Sequence, residues 1–353
     1  MTDFYKGKKV LVTGHTGFKG TWLTKMLLMA GAEVTGYSLE PPTEPSLFEL
    51  SGMKTALGER SVFGDVRDLS HLYRVFEEAQ PEIVFHLAAQ PIVRESYKDP
   101  VRTFETNVMG TVNICECVRK TPSVRSFVNV TTDKVYLNSD GGRLFKEDDP
   151  LCGLDPYSNS KSCSELVTYS YINSFFKMAE NGPIVSTVRA GNVIGGGDFA
   201  PDRIVPDCVR ATVTHTPLVL RNPNSVRPYQ HVLEAVSLYL TISEEQYKDP
   251  SKAGSYNIGP DEEGIVTTGE LADLFKKYYG SGFTYEAKTE KNAPHEAALL
   301  KLDTSLVKRV FDWKPTWNIE EAVKQTVEWT KEWQQDPSPE NINRVMEKQI
   351  RER

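Results

Sequence analysis

The chain has 353 residues, 41 Lys+Arg against 48 Asp+Glu, and a formal net charge of −7. With 39% hydrophobic and 25% charged residues, its composition excludes disordered and fibrous classes and supports one large domain or two unequal ones. The acidic balance argues against broad binding to nucleic acid or anionic membranes.

The longest apolar runs, such as Ile83 to Ala89, fall far short of the roughly 20 residues of a bilayer span. No apolar leader follows Met1. Five cysteines (Cys115, Cys117, Cys152, Cys163 and Cys208) are odd in number and include no Cys-x-x-Cys pair. That usage fits a reducing compartment, so a cytoplasmic protein with no metal site is expected.

In chain order, Lys9–Thr13, Glu33–Tyr37, Glu82–His86 and Ser126–Val130 read as buried parallel strands, because they lack polar alternation. Leu23, Met26, Leu27 and Ala30 recur at helical spacing, as do Leu69, Leu72, Val75, Phe76 and Ala79. Such alternation predicts an α/β, doubly wound (Rossmann) parallel sheet. The prolines of Glu40–Ser46 mark a loop, and Pro183–Val188 adds a sixth strand. After Gly191, short strands such as Leu218–Leu220 and Tyr256–Ile258 sit among helices and Gly/Pro-rich loops. The expected division is residues 1–190 as a dinucleotide-binding domain carrying the catalytic residues and 191–353 as a smaller substrate lobe that threads back against the sheet. The polar segment Asp336–Arg353 reads as a peripheral helix.

Gly14-His15-Thr16-Gly17-Phe18-Lys19-Gly20 follows the first strand and opens a helix. Glycines so spaced permit a tight turn, close backbone approach to a pyrophosphate and tight packing of helix on strand, while the helix N-terminus supplies N–H donors. The second strand ends in Tyr37-Ser38-Leu39-Glu40 without a basic residue, which favours NAD over NADP. Asp65-Val66, after the third strand, is placed either to reach the adenine or to serve as a helix N-terminal carboxylate.

Tyr157 and Lys161 lie four apart on one face of a helix running to about Phe176. A tyrosine acting as a base near neutrality must lose ~3 pKa units, about 4 kcal/mol of differential stabilisation. The Lys161 ammonium and a nicotinium ring are suitable perturbers. Thr132, at a strand's C-terminal end, adds a hydroxyl.

With these residues the chain resembles the extended short-chain dehydrogenase/reductase superfamily, and within it the nucleotide-sugar 4,6-dehydratases. The resemblance runs from about Lys8 to Trp333. It is carried by Gly14–Gly20, His86-Leu87-Ala88-Ala89-Gln90, Thr132-Asp133-Lys134, Asp155–Lys161, Arg189–Asp198, Arg227–Val232 and Tyr256–Gly259. The wording His-Thr-Gly-Phe-Lys-Gly, the Asp-Lys pair and Gly-Gly-Gly-Asp resemble the branch acting on CDP-glucose. That resemblance implies NAD as cofactor, held by Gly14, His15, Thr16, Gly17, Phe18, Lys19, Gly20, Asp65, Val66, Leu87, Ala88, Ala89, Tyr157 and Lys161.

It further implies that Thr132, Tyr157 and Lys161 serve C4 oxidation; beside them we assign Asp133 as the acid for the departing 6-hydroxyl and Lys134 as the C5 base. Lys134 must then be neutral, its pKa lowered by desolvation or nearby cations; otherwise it only neutralises enolate charge. The substrate is expected on Gln90, Asn192, Arg203, Arg227 and His295, whereas His231 reads as a packed histidine. Polar His15 and Lys19 either add a pyrophosphate contact or perturb cofactor affinity. A homodimer is implied, through the Tyr157 helix and a helix spanning roughly Val101 to Val118, with Val108, Val112, Cys115 and Leu166 shared between interface and core. Two rivals remain: a 4-epimerase or a dehydratase of another nucleotide-sugar, and a dinucleotide-sensing protein without turnover.

Overall fold

The computed structural model describes residues 3–138, 143–288 and 300–353. Its strands are β1 (Lys9–Thr13), β2 (Glu33–Ser38), β3 (Ser61–Phe63), β4 (Ile83–His86), β5 (Ser126–Val130), β6 (Leu144–Phe145), β7 (Ile184–Ala190), β8 (Asn192–Ile194), β9 (Leu218–Leu220), β10 (Val226–His231), β11 (Ser255–Ile258), β12 (Ile265–Thr267), β13 (Tyr285–Ala287) and β14 (Lys301–Leu302). The first helices are α1 (Phe18–Met29), α2 (Leu47–Leu50), α3 (Met53–Leu57), α4 (Leu69–Ala79), α5 (Val93–Lys98), α6 (Pro100–Phe104) and α7 (Gly110–Lys120). There follow α8 (Pro156–Tyr171), α9 (Ile204–Thr214), α10 (Val232–Lys248), α11 (Thr268–Tyr279), α12 (Ser305–Phe311), α13 (Ile319–Gln335) and α14 (Pro339–Glu352).

Seven strands form one parallel sheet in the order β11-β7-β5-β4-β1-β2-β3. The chain winds outward from β1 to β3, then crosses back so that β4 pairs with the other edge of β1. Strands β4 and β5 are buried at every position, the reason they carry apolar runs without alternation. One face is covered by α1 and α10, whose Trp22, Leu23, Leu27, Leu233 and Val236 join the main core. The other is covered by α4 and α7 through Leu72, Phe76, Ile114 and Val118. A third core holds β10 against α9, α11 and α13 through Tyr229, Cys208, Phe275 and Val323.

Two elements sharpen the expectation. Tyr256–Ile258 is not set apart from the sheet: where the chain threads back, β11 pairs with β7 as the seventh strand. Its approach is prepared by α10, whose Gln246 amide donates to Ser126 Oγ and the Phe127 carbonyl. The C-terminal segment is not simply polar either, since α14 sets Ile342, Val345, Met346 and Ile350 into the main core. Their spacing at i, i+3, i+4 and i+8 makes one apolar stripe inside a charged sequence. Beyond it, the Arg353 guanidinium meets Glu234, whose side chain is fully buried.

The helical run from Pro100 to Lys120 is continuous, with a π-helical segment at Glu105–Met109 between α6 and α7. Together with α8 it exposes Val101, Met109, Leu166 and Tyr169. Cys115, expected partly at an interface, is fully buried behind that face. No helix among the described residues is long and apolar enough to cross a membrane.

Candidate active site

The reversal of winding between β1 and β4 opens a crevice at the C-terminal ends of the strands, where doubly wound sheets place their ligands. Gly14 leaves β1 at φ +77°, a left-handed conformation that favours glycine, and a Cβ there would lie 2.8 Å from the Ala88 nitrogen. A Cβ on Gly20 would lie 2.0 Å from the Gly14 carbonyl oxygen, so α1 can start this close to the turn only with glycine. Gly17, the N-cap, contributes no side-chain cap, which leaves the first amides of α1 free for an anion. Leu87 and Ala88 donate their amides to Thr13 Oγ1 at 3.2 and 3.3 Å, with Ala89 next in the chain. A dinucleotide pyrophosphate fits this cradle.

The loop's side chains part company. His15 turns inward: its imidazole packs edge-on to Phe48, and Nε2 lies 2.9 Å from Ser61 Oγ. Gly36 makes the room, since a Cβ there would meet the ring at 2.3 Å. Burial pushes His15 down to about 4. Thr16 donates to the Leu39 carbonyl and pairs with Ser38. Phe18 packs at the margin of the main core. Lys19 instead faces the catalytic groups. Its ammonium is pushed down to about 8, chiefly by burial, with Arg203 and Lys134 adding to the effect and Asp133 and Asp198 opposing it.

Asp65 is engaged by Arg67, which donates Nε and Nη2 to its carboxylate at 2.7–3.1 Å and holds its pKa down. Asp65 is not the helix N-terminal carboxylate, since the α4 N-cap is Asp68, three residues on. Val66 is buried, its carbonyl accepting from Asn113.

The catalytic candidates converge where β5 ends. Thr132 caps a single 3-10 turn, Asp133–Val135. Its hydroxyl donates to Asp133 Oδ1 at 2.9 Å, and the same oxygen accepts from Lys134 Nζ at 3.0 Å. Helix α8 begins immediately before Tyr157: Asp155 caps the Ser158 amide at 2.9 Å and Pro156 takes the first turn. Ser96 of α5 accepts the Tyr157 amide at 3.1 Å. The Tyr157 phenol, 8% exposed, is buried close enough to Lys134, Thr132 and Asp133 for all three to bear on its charge.

Electrostatics here depart from the expected pattern in two places. Burial raises Tyr157, and the cation that most opposes the rise is Lys134, followed by the Thr132 hydrogen bond; Lys161 does not figure. Lys161 shares the helix face of Tyr157 but turns its ammonium to the Val130 carbonyl at 3.1 Å. It is pushed down to about 8 by burial and then by Lys19. Lys134, expected to be lowered, is raised: burial pulls it down, but Asp133 and Tyr157 more than offset this. Its ammonium is therefore held charged by the carboxylate beside it.

One turn beyond Lys161, Glu165 accepts from Thr131 and Thr187 and pairs with Arg189 at 3.0 Å, both side chains only 3% exposed. Sequence reading missed this pair, although Tyr157, Lys161 and Glu165 stand at i, i+4 and i+8 on one helix face.

Of the expected substrate residues, Asn192 opens β8 beside Tyr229 of β10. The preceding Gly191 runs past the catalytic turn, a Cβ there standing 3.7 Å from Asp133 Oδ2. Arg203 pairs with the buried Asp198 at 3.1 Å. Arg227 lies on β10, near enough to Lys134 to oppose its charge. Gln90 has both ends of its amide engaged, by Thr103 and the Ile92 amide, so it braces the start of α5. His295 lies outside the described residues. His231 is the buried N-cap of α10, accepting the Leu233 amide. No cluster of three or more metal-ligating side chains occurs among the described residues.

A parallel seven-stranded sheet, a glycine loop at its switch point and a threonine–tyrosine–lysine set at the end of β5 define the extended short-chain dehydrogenase/reductase class. Within that class the chain belongs to the GDP-mannose 4,6 dehydratase family, whose profile matches residues 11–326. It is 44% identical over 335 residues to the CDP-glucose 4,6-dehydratase of Salmonella typhimurium (strain LT2), covering 94% of this chain and 92% of that protein. It is 26% identical over 352 residues to dTDP-glucose 4,6-dehydratase 1 of Escherichia coli (strain K12), covering 91% and 92%. Among solved structures, a UDP-glucose 4-epimerase of Thermus thermophilus complexed with NAD superposes with a TM-score of 0.74 at 26% identity, over 91% of this chain and 98% of that one. The dTDP-glucose 4,6-dehydratase of Bacillus anthracis, in complex with NAD, shares the fold with a TM-score of 0.74 at 22% identity, over 92% and 97%.

Proposed function

We propose that this protein is an NAD-dependent CDP-glucose 4,6-dehydratase, converting its substrate to a CDP-4-keto-6-deoxy sugar. The observation that carries the reading is the Thr132–Asp133–Lys134 turn facing Tyr157. It sets an acid–base pair beside a redox tyrosine, which an epimerase does not require. The CDP preference rests on the 44% identity to the Salmonella enzyme across nearly the whole chain.

The backbone of Gly14–Gly20 would hold the cofactor pyrophosphate, with Lys19 and Lys161 on its catalytic side and Leu87–Ala89 beside it. NAD held there would supply the acceptor for a hydride from sugar C4 and its donor to C6. Tyr157 takes the 4-hydroxyl proton while Thr132 orients that hydroxyl. The new carbonyl acidifies C5–H, and loss of the 6-hydroxyl then needs an acid and a base at once. In the resting pair Lys134 is the ammonium and Asp133 the carboxylate. Moving one proton along their 3.0 Å hydrogen bond makes Asp133 the acid and Lys134 the neutral base. Arg203 and Arg227 suit the substrate diphosphate, being planar multidentate donors on the lobe side of the crevice.

A homodimer formed through α8 and the helical run that begins at Pro100 accords with the exposed Val101, Met109, Leu166 and Tyr169, and a cytoplasmic location with the unpaired cysteines. The test is to incubate the protein with NAD and, separately, CDP-, dTDP-, UDP- and GDP-hexoses, and to weigh the products. A CDP-sugar one water lighter is expected. An isobaric product makes the protein an epimerase, and no product with any sugar overturns the enzymatic reading.

A further inference from the structure

The catalytic turn Asp133–Val135 is short, and its own cap is long: the Lys134 amide reaches Thr132 Oγ1 only at 3.5 Å. Firmer holds come from outside it. Thr131, just before the Thr132 cap, donates its hydroxyl to Glu165 Oε1. Tyr136, just after the turn, accepts from Arg189 Nη1 at 2.8 Å. Glu165 and Arg189 are themselves joined as a fork, with Nε 3.1 Å from Oε1 and Nη2 3.0 Å from Oε2. One ion pair thus grips the turn on both flanks. Between these grips, Ser162 of α8 donates to the Val135 carbonyl at 2.7 Å.

The same pair ties the turn to the elements around it. Glu165 stands on α8 one turn beyond Lys161, and its second oxygen accepts from Thr187 of β7 at 2.7 Å. Arg189, on β7, also donates to the Glu147 carbonyl at 2.8 Å. The Tyr136 hydroxyl in turn donates to Asn257 of β11, whose amide donates to the Phe145 and Asp303 carbonyls. Both charged side chains are 3% exposed. Stability alone does not account for a pair so deep, since well-packed apolar residues often serve a core at least as well. Direction does: a planar guanidinium and a carboxylate make several bonds at fixed angles, which an apolar pair does not.

We propose that Glu165 and Arg189 are positioning residues for the elimination step. By holding Thr131 and Tyr136 they fix the Asp133–Lys134 pair against the α8 face that carries Tyr157 and Lys161. Neither touches the reacting atoms. This rests on the dehydratase reading. Loosening the turn slows elimination more than C4 oxidation, so the 4-keto sugar accumulates before it loses water.

The test mixes NAD-loaded protein with CDP-glucose, quenches rapidly and weighs the sugars. Thr131→Val and Tyr136→Phe each remove one hydroxyl that meets the pair and keep the shape of the side chain. The Tyr136 ring retains its stacking on Phe145, 5.1 Å away. Thr187→Val is the control, because it removes the other hydroxyl bonded to Glu165 from β7 rather than from beside the turn. A turn displaced by about 1 Å should slow elimination about 10²-fold and change the KM for CDP-glucose by less than about twofold. Both turn-side variants should therefore accumulate the oxidised, undehydrated 4-keto sugar, and Thr131→Ser should restore the rate. Thr187→Val should lose stability to urea as Thr131→Val does, yet turn over as wild type does. Tyr136→Phe decides alone if Thr131→Val does not fold. Dehydration at the wild-type rate in the turn-side variants overturns the proposal. So does equal slowing of oxidation and elimination, or the same accumulation in Thr187→Val. Absence of any dehydrated product from wild type instead defeats the functional reading beneath it.

Discussion

Three histidines are held neutral inside the fold, and together they set how the protein responds to acid. His15, His86 and His231 are each at most 1% exposed, and burial, the largest influence on each, pushes them down to about 4, about 3 and about 3. An unfolded chain titrates its histidines near 6.5. Below that pH the unfolded state binds protons that the native state refuses, so stability is full above about 6.5 and declines as pH falls toward the folded values.

Near pH 5.5 nearly three protons separate the two states, a slope of roughly 3–4 kcal/mol per pH unit. By pH 5 the accumulated loss is about 2 kcal/mol per histidine, or about 6 kcal/mol in all. That is a large part of the 5–15 kcal/mol typical of a folded protein. Urea unfolding at pH 7.5, 6.5, 6.0, 5.5 and 5.0, followed by tryptophan fluorescence, measures the slope. His231→Asn keeps an N-cap acceptor and should flatten it by about one proton. A wild-type slope below about 1.4 kcal/mol per unit between pH 5 and 6 corresponds to one proton or fewer, and refutes the reasoning.

Three other outcomes are expected. Gly20→Ala drives a Cβ against the Gly14 carbonyl, so NAD binding measured by fluorescence titration should fall at least tenfold while the far-ultraviolet dichroism stays native; unchanged affinity would contradict the cradle. Lys134→Met should leave partial reduction of NAD by CDP-glucose but stop solvent deuterium from entering C5, and undiminished exchange would remove Lys134 from the elimination. Arg189→Leu leaves Glu165 buried without its cation, which should cost about 3–5 kcal/mol in urea unfolding; a loss under about 1 kcal/mol would show the pair to be dispensable.

What could be read from the sequence was local. The glycine spacing, the apolar strands and the Tyr157–Lys161 spacing each follow from a few neighbouring residues, and the structure puts them at one crevice. Orientation was not readable in the same way. His15 belongs to the glycine motif by position, yet its ring goes into the gap left by Gly36 on the adjacent strand, a partner 21 residues away. Lys161 stands on the right face of α8, but its ammonium is claimed by a β5 carbonyl. Lys134 was expected to need a lowered pKa, whereas the carboxylate one residue before it raises it. In each case a side chain's chemistry is set by what it meets in space, and a linear pattern names only the candidates. The place of strand β11 in the sheet was not readable for the same reason. Its pairing with β7 spans 68 residues, and four residues at a sheet edge carry little periodicity.

That edge strand has a consequence for the newborn chain. A ribosome that has delivered Tyr157, Lys161 and all of β7 has still not delivered α10, which covers one face of the sheet, or β11, which pairs with the free edge of β7. Until about residue 258 emerges, β7 therefore presents unpaired amides and carbonyls beside an apolar surface, the combination that recruits neighbouring chains. The catalytic half is translated early but sealed late. Its yield in a cell should depend on how quickly the next 70 residues arrive, and fragments ending near Gly191 should aggregate although they contain every residue of the Thr132–Tyr157–Lys161 set.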